Sequence, residues 1–544
     1  MLNRIENNPI LTIVIVVIAM LCINISDLEV TIMEARNFIT AREMLTDGNW
    51  LLTTMNGEPR YQKPPLPTWL AAFSGLLFGI KNIFALRLPG ILMVIVTGIA
   101  SYLLSNKLLN NKVHSLINAL ITITSFYVIG IIIEAPWDIF AHGFTLVAIY
   151  HLFQLFEKEK QYWKHTLLAG LLFGLSIMSK GPVSFYALLL PFLISYGLTF
   201  KFKKFRAKYF SVVSFIILAL LIGGWWYLYV RIEDPETFIK ITNRETGNWG
   251  SYNVKPFYYY WSFFTQSGLW TLPAFIALLY PYMKSRASNL KAYQFSFLWT
   301  ILAVILLSLI PEKKSRYLMP VLIPMAINTG FYIESLIRKF VDLKDKKEII
   351  PVYFNFGLIA LIGIVFPVAG YLFLKDGVNV NWILFTISSL ALFSIGVTIM
   401  LNLKRSNIKN VFYLTISFMV AAFILLLPLS SNLKSENYKS ISSLKEKTET
   451  EGLSVYSFNY VSPEMIWQFG DKIPNIKRND STYNLPKANT FGMLSNNISP
   501  KEKAFLENNY KIEHNNTFDL NVVDPDSRSY KDRLISQYYI LSKK

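Results

Sequence analysis

The chain has one cysteine, five histidines and little charge: Asp, Glu, Lys and Arg make up 16% of its 544 residues. Each scarcity excludes something. A lone Cys22 rules out an intrachain disulfide and any cysteine metal cluster. It lies in AMLC, where Leu21 occupies the place that a lipoprotein signal gives to a small residue, so it reads as a buried membrane cysteine behaving as a small hydrophobe. Soluble domains carry about a quarter charged residues. A figure of 16%, beside 53% hydrophobic residues and a mean hydropathy of +0.37, excludes an ordinary soluble protein. Acids are scarcer than bases, 35 against 53, and the resulting +18 raises the question of a nucleic-acid partner.

What the chain has in place of charge is long apolar runs, each spanning helix needing roughly 20 residues. Windows at 9–26, 88–106, 114–132, 137–155, 166–180, 182–200, 209–230, 264–283, 293–310, 317–337, 351–374, 380–402 and 411–430 predict thirteen transmembrane helices. No small-x-small site follows the first run, which is therefore expected to stay as a span and not to be cleaved as a signal peptide. The connections sort by charge. KLLNNK (107–112), EKEKQYWK (157–164), KFKKFRAK (201–208), KSRASNLK (284–291), RKFVDLKDKK (338–347) and KRSNIK (404–409) are rich in Lys and Arg and fall on one side. The other side holds the long 27–87 segment, the EAPWD and SKGP turns, 231–256, PEKKSR and KDGVNVN. Because cytoplasmic loops collect Lys and Arg, the expected topology is N-terminus cytoplasmic and C-terminus extracytoplasmic. The basic excess is orientation charge, and no nucleic acid is called for.

The expected organisation is thus a membrane domain over 1–430 and a small extracytoplasmic α/β domain over 431–544. The latter rests on alternating pieces at LSVYSF (453–458) and YYILSKK (538–544) and a helix at SPKEKAFLENNY (499–510). No nucleotide-binding glycine pattern is present there, and its expected role is a lid or docking surface.

Polar residues without an orientation role gather on the outer side. In residues 30–50, Ile32, Ala35, Phe38, Ile39 and Leu45 share one side of a 3.6-residue helix and Arg36, Asn37, Thr40 and Glu43 mostly the other. That pattern predicts an interfacial helix lying among headgroups. Glu34 sits just past the first span, where an unpaired acid costs desolvation; pairing with Arg36 is its plain structural explanation. In NGEPRYQKPPLPTWL (56–70), the prolines at 59, 64, 65 and 67 forbid a regular helix and hold the backbone extended. They present Arg60, Tyr61 and Lys63 at the bilayer surface, ahead of a second amphipathic or re-entrant piece at 68–79. Lys63 could simply snorkel; it could also hold a lipid phosphate, for which Lys is a suitable point charge.

Four further groups face the same side. Asp138 opens a span in EAPWDIFAH, with Glu134 and His142 on nearby turns; Lys180 ends one in MSKGP. The 236–261 stretch carries Arg244, Glu245, Asn248, Trp249 and Tyr258, and PEKKSRYLMP (311–320) carries Lys313, Lys314, Arg316 and Tyr317. Lys63, Lys180, Arg244, Lys313, Lys314 and Arg316 all run against the orientation bias, on one face only. The economical reason is a bound phosphate or pyrophosphate carried on a lipid. Cations can stabilise a departing phosphate while a carboxylate, Glu34 or Asp138, takes a proton from an incoming hydroxyl.

Taken in order, EARNFITAREMLTDGNWLLTTMNGEPRYQKPPLPTWL, LFG, ALRLPG, Asp138, Lys180-Gly181-Pro182 and Lys313–Tyr317 resemble the bacterial aminoarabinose transferases of lipid A. These are GT-C glycosyltransferases, with the protein O-mannosyltransferases as more distant relatives. The resemblance runs over roughly residues 9–340. It implies a polytopic helical fold with an outer C-terminal domain in the inner membrane, and sugar transfer from an undecaprenyl-phosphate donor to a lipid, glycan or protein acceptor. With the charge pattern it gives Glu34 and Asp138 as the expected acid–base or orienting groups, and Lys63, Lys180, Arg244, Lys313 and Arg316 as the expected phosphate ligands. Arg60, Tyr61, Trp249, Tyr258 and Tyr317 are the expected sugar contacts, the aromatics by stacking.

There are departures. The family's acidic pair is here Met33-Glu34, its acid before Lys-Pro is Gln62, and its histidine and arginine of the fourth outer loop are Thr246 and Trp249. If the family's first acid is the base, either Glu34 or Asp138 does its work here, or the acceptor is already an anion, such as a phosphate, and needs none. The other departures argue against a straightforward lipid A aminoarabinose transferase and weaken a metal site. No cofactor is required, though two acids could share a divalent metal with the phosphate. A lipid-linked glycan polymerase or ligase is the nearer rival. A flippase or transporter would put ionisable residues at mid-span and repeat itself inverted; neither is seen.

Overall fold

The computed structural model describes residues 2–160, 162–202, 205–375, 380–430, 434–479 and 482–544. Parts of the KDGVNVN connection, of 157–164 and of 201–208 lie outside them. Of Phe205, Arg478, Asn479 and Trp249 only the backbone is described.

Among the described residues ten helices are long and apolar enough to cross a membrane: Pro9–Asp27, Ile83–Leu109, Lys112–Glu134, Pro136–Glu157, Arg206–Glu233, Leu290–Leu309, Ser315–Asp342, Lys346–Leu374, Trp382–Lys404 and Ile408–Ser430. Each falls on an expected span. The remaining three expected spans have local reasons to differ. Trp163–Lys180 is a helix whose two polar ends leave a short apolar middle. The 182–200 window holds a π-helix, Phe185–Leu189, running into Leu190–Thr199. The 264–283 window breaks at Gly268, whose φ of 67° ends a 3₁₀ helix before Thr271–Ala277 and Tyr280–Met283.

The chain divides into two compact units. The first comprises 1–27, 61–67 and 87–429. One close helix seam sets Gly170 and Gly174 against Phe215, Leu218, Ala219 and Ile222 of Arg206–Glu233, while Gly223 faces Ile177. Small residues let helices approach where hydrocarbon supplies no hydrophobic drive. Lys208 donates 2.8 Å hydrogen bonds to the carbonyls of Leu155 and Phe156. This brings the end of Pro136–Glu157 and the start of Arg206–Glu233 to one end of the bundle; Asp138 and Lys180 meet at the other.

The second unit comprises 28–60, 68–86 and 430–544. A four-stranded sheet runs in the order Val455–Ser457, Thr490–Ser495, Ile535–Lys543, Tyr510–Asp519; the first pair is parallel and the others antiparallel. One sheet face packs Phe458, Phe491, Met493, Leu506 and Leu541. The other packs Met465, Phe469, Leu494, Phe518 and Tyr538 around Ile39, which comes from the first loop.

That contact corrects the interfacial-helix expectation. Helix Ile32–Asp47 buries its polar side as well as its apolar one: Asn37, Thr40, Arg42 and Glu43 are all buried. Phe38 meets the edge of Trp467 with ring centroids 5.3 Å apart, and the Arg42 guanidinium lies 6.0 Å from the centre of that ring. Glu43 accepts hydrogen bonds from Thr54 Oγ1, Asn56 N and Gly57 N, which fix an Asn-Gly hairpin turn with both central residues at positive φ. Asn56 in turn exchanges two hydrogen bonds with the Ile473 backbone. Helix Leu66–Phe78 packs Ala71 and Ala72 on Phe38, Ala41 and Met44 and exposes Phe73, Leu76, Leu77 and Phe78, as an amphipathic piece should.

Glu502 closes a capping box with Ser499 and pairs with Lys477 at 2.9 Å. Partial burial opposes its ionisation, but the Ser499 amide, Lys477, the Ser499 hydroxyl and Asn459 outweigh it and pull its carboxyl down to about 2. A depressed folded-state value adds stability above the ordinary carboxyl range, near 4.5, and that stability is lost as pH falls toward 2. Hydrogen-exchange protection of residues 500–519 in the full chain, corrected for intrinsic exchange, should therefore fall over that window. In Glu502→Gln it should fall less steeply.

Candidate active site at one end of the bundle

Asp138 stands in the first turn of Pro136–Glu157, where a helix N-terminus favours an anion. Lys180 is the last residue of Trp163–Lys180, where a cation is favoured for the same reason. The two form an ion pair, with side chains 2% and 10% exposed. The Lys180 ammonium also lies 5.1 Å from the centre of the Tyr317 ring. Taking two charges out of water costs several kcal/mol per ion, recovered only through close pairing.

Tyr317 leads to a second pair. Its hydroxyl donates to Glu312 Oε1 at 3.0 Å, and Lys314 Nζ meets the same oxygen at 2.6 Å. Two aromatic rings, Tyr252 and Tyr317, flank the Lys314 ammonium at 4.8 and 5.6 Å. The segment is held by a β-bridge, Val254 to Glu312, and by Tyr260, whose hydroxyl donates to Lys314 O at 3.1 Å and accepts from Lys314 N at 3.2 Å. Arg316 lies within electrostatic reach of both Glu134 and Asp138. Among the described residues its buried Nε has no hydrogen-bond partner.

The structure therefore brings together Asp138, Lys180, Arg316 and Tyr317 with Lys314. Lys313 behaves differently from its neighbour. It is buried, donates to the carbonyls of Lys255 at 3.0 Å and Ile310 at 2.6 Å, and burial pushes its ammonium down. It is a clasp for the backbone. Arg244 and Tyr258 lie outside the cluster. Arg244 is exposed on helix Pro235–Ser251, where Glu245 is 3.9 Å away, and the Tyr258 ring is exposed. Trp249 is on the same helix, its side chain outside the described residues. Tyr61 is buried and donates to Asp234 Oδ2 at 3.0 Å; burial and that bond push its phenol up to about 12. Lys63 follows it, half-buried and engaged in contacts of its own.

Glu34 and Arg60 belong to the second unit. Glu34 is buried and completes a capping box, accepting from Thr31 N at 3.1 Å. Arg60 donates to Arg36 O and Thr40 Oγ1, each at 2.9 Å; burial, reinforced by Arg36, pushes its guanidinium down to about 9. Among the described residues no three His, Cys, Asp or Glu side chains gather as metal ligands, and the Asp138 charge is met by Lys180. Residues that sequence reasoning missed are Glu312, Tyr260 and Ser184, whose buried hydroxyl lies 3.0 Å from His142 Nδ1. Glu312 was visible as the one acid in PEKKSR, whereas the other two carry no local signal.

A family model described as dolichyl-phosphate-mannose-protein mannosyltransferase matches residues 62–227. An uncharacterized protein of Aquifex aeolicus is 27% identical over 314 residues, 54% of this chain and 58% of that protein. The undecaprenyl phosphate-alpha-4-amino-4-deoxy-L-arabinose arabinosyl transferase 1 of Pseudomonas fluorescens is 27% identical over 314 residues, 55% of this chain and 54% of the transferase. The chain thus spans little more than half the length of the curated relatives it matches. ArnT from Cupriavidus metallidurans, crystallised with undecaprenyl phosphate, matches with a TM-score of 0.63 at 13% identity, covering 98% of this chain and 97% of that one.

Removing one partner of a buried pair strands the other's charge at about 3–5 kcal/mol, whereas neutralising both does not. Lys180→Met should therefore lower the melting temperature in detergent more than the Asp138→Asn/Lys180→Met double variant does. Equal losses would show that the pair is solvated.

The chain resembles the aminoarabinose transferases and the related protein mannosyltransferases, and its fold is that of the GT-C polytopic membrane proteins.

Proposed function

We propose that this chain is an integral membrane glycosyltransferase of the inner membrane. It moves a sugar from a polyprenyl (undecaprenyl) phosphate to a lipid, glycan or protein acceptor at the outer face. The observation that carries the reading is the buried Asp138–Lys180 pair beside Lys314, Arg316 and Tyr317, at one end of a bundle with the fold of ArnT. In the reaction the bond from the sugar's anomeric carbon to the phosphate oxygen breaks. An acceptor oxygen bonds that carbon from the opposite side, and polyprenyl phosphate leaves with the electron pair. Lys180, Arg316 and Lys63 meet the negative charge that grows on the phosphate. Lys314 is pre-set by Glu312 at the edge of the same group. Asp138 orients Lys180. An acceptor that arrives as an anion gives up no proton, which suits a carboxylate already committed to an ion pair.

The direct test is transfer by the protein reconstituted in nanodiscs, with a panel of radiolabelled polyprenyl-phosphate sugars and crude membrane acceptors. Losing a donor to the developing charge typically costs about 10²–10³ in turnover, and Lys63→Ala and Arg316→Ala should each fall by that order. Lys313→Ala should act through stability and leave donor KM unchanged. If no donor in a broad panel is consumed while polyprenyl phosphate still binds, a carrier-handling role replaces this one.

The proposed orientation puts Tyr258 outside and Ser285 in the cytoplasm. Both positions are exposed. In a Cys22→Ser background, Tyr258→Cys should react with an impermeant maleimide in intact spheroplasts, and Ser285→Cys only after permeabilisation. The reverse pattern inverts the topology.

A further inference from the structure

The turn that delivers Lys180 is pinned on both sides of its glycine. Gly181 has φ +76°, and a Cβ there would stand 2.9 Å from the Tyr227 hydroxyl, so this point of the chain is both a hinge and closed to other residues. Pro182 follows, then Ser184, then the π-helix Phe185–Leu189, an irregular element of the kind that recurs at functional sites. From the facing helix, Asp138 and His142 project four residues apart and so on one side. Asp138 holds Lys180, ahead of the glycine. His142 holds Ser184, beyond it: Nδ1 and Oγ are 3.0 Å apart, and both residues are buried, at 2% and 0% exposure. Deeper in the seam Ser176 Oγ donates to Ala141 O at 2.7 Å and accepts from Thr145 Oγ1 at 2.8 Å.

An ion pair to Lys180 alone restrains the tip of a flexible four-carbon side chain and leaves the backbone free to swing at Gly181. A buried imidazole–hydroxyl bond on the far side removes that freedom. It is also costly to bury unless satisfied. We infer that the His142–Ser184 pair is a positioning device for the transfer proposed above. It fixes the Lys180-Gly181-Pro182 turn so that the Lys180 ammonium stays against Asp138 and the Tyr317 ring while charge grows on the leaving phosphate. The inference rests on the transferase reading. Neither residue touches the reacting atoms; both act through Lys180.

The test is steady-state transfer by the full-length chain in nanodiscs with a consumed polyprenyl-phosphate sugar. Misplacing a charge-stabilising group costs turnover more than ground-state binding. Ser184→Ala, His142→Leu and His142→Gln should therefore lower kcat about tenfold with donor KM within about twofold. His142→Asn, whose short amide falls near the position of Nδ1, should recover most of the loss, while the longer Gln reaches past it. Effects that run through one residue are not additive, so in a Lys180→Arg background Ser184→Ala should cost no more than about twofold further. Thr145→Val, on the same seam but away from the turn, should keep wild-type kcat. Unchanged turnover in Ser184→Ala, or its full penalty in the Lys180→Arg background, overturns the inference. Should Ser184→Ala fail to fold as a monodisperse species, the His142→Asn and His142→Gln pair decides, and equal turnover overturns it. A wild-type protein that transfers no sugar to any acceptor overturns the transferase reading and this one with it.

Discussion

The constraint on which one end of this molecule depends is the cost of taking Asp138 and Lys180 out of water together. A buried ion pair contributes little net stability, because attraction is set against desolvation, but an arrangement of its helices that parts the two groups leaves a buried charge unpaired. Here those helices are Pro136–Glu157 and Trp163–Lys180. The demand passes along the chain. Trp163–Lys180 must seat closely on Arg206–Glu233, which Gly170, Gly174 and Gly223 allow by carrying no side chain. The 311–317 segment must bring an aromatic face to the ammonium, which the Val254–Glu312 bridge and Tyr260 arrange.

Much of the bundle was legible because a membrane reduces the problem to length and apolarity. The ten long spans could be found without any tertiary information. The windows that differ are those where hydropathy sums over a local event: polar helix ends at 163–180, a π-turn at 185–189, and a left-handed glycine at 268. Lys180 and Arg316 stood out because they oppose the loop charge bias, and Asp138 because an acid opens a span; that Asp138 and Lys180 meet each other was not legible. Lys313 and Lys314 were not separable. Adjacent lysines look alike in a sequence, but a β-bridge sends successive side chains to opposite faces. One therefore reaches Glu312 and the other turns to backbone carbonyls.

The first-loop helix shows the converse limit. Its periodicity correctly assigned a polar and an apolar face, yet periodicity does not say what covers a face. The cover is Trp467 and its neighbours, more than four hundred residues later in the chain, and with them Arg42, Asn37 and Glu43 become buried groups with structural duties. Glu34, read as a candidate acid, is the third helical residue of a capping box. The motif Thr31-x-x-Glu34 is visible in the sequence and would have argued for a capping role.

Both ammonium groups of the bundle-end cluster meet carboxylates before any ligand is considered, Lys180 with Asp138 and Lys314 with Glu312, and Arg316 lies within electrostatic reach of Glu134. Bare like charges gathered there would repel one another and splay the cluster. Pairing Lys180 and Lys314 each with an acid keeps the two ammonium groups in place at little net charge. A phosphate then gains less by simple attraction, and more by meeting donors whose positions are already set. Preorganised donors favour the growing charge of a departing phosphate over the weaker charge of the bound diester. On the proposed transferase reading, the acids beside the cations are part of how the site discriminates a transition state from a ground state, and the positioning of the Lys180 turn follows from the same requirement.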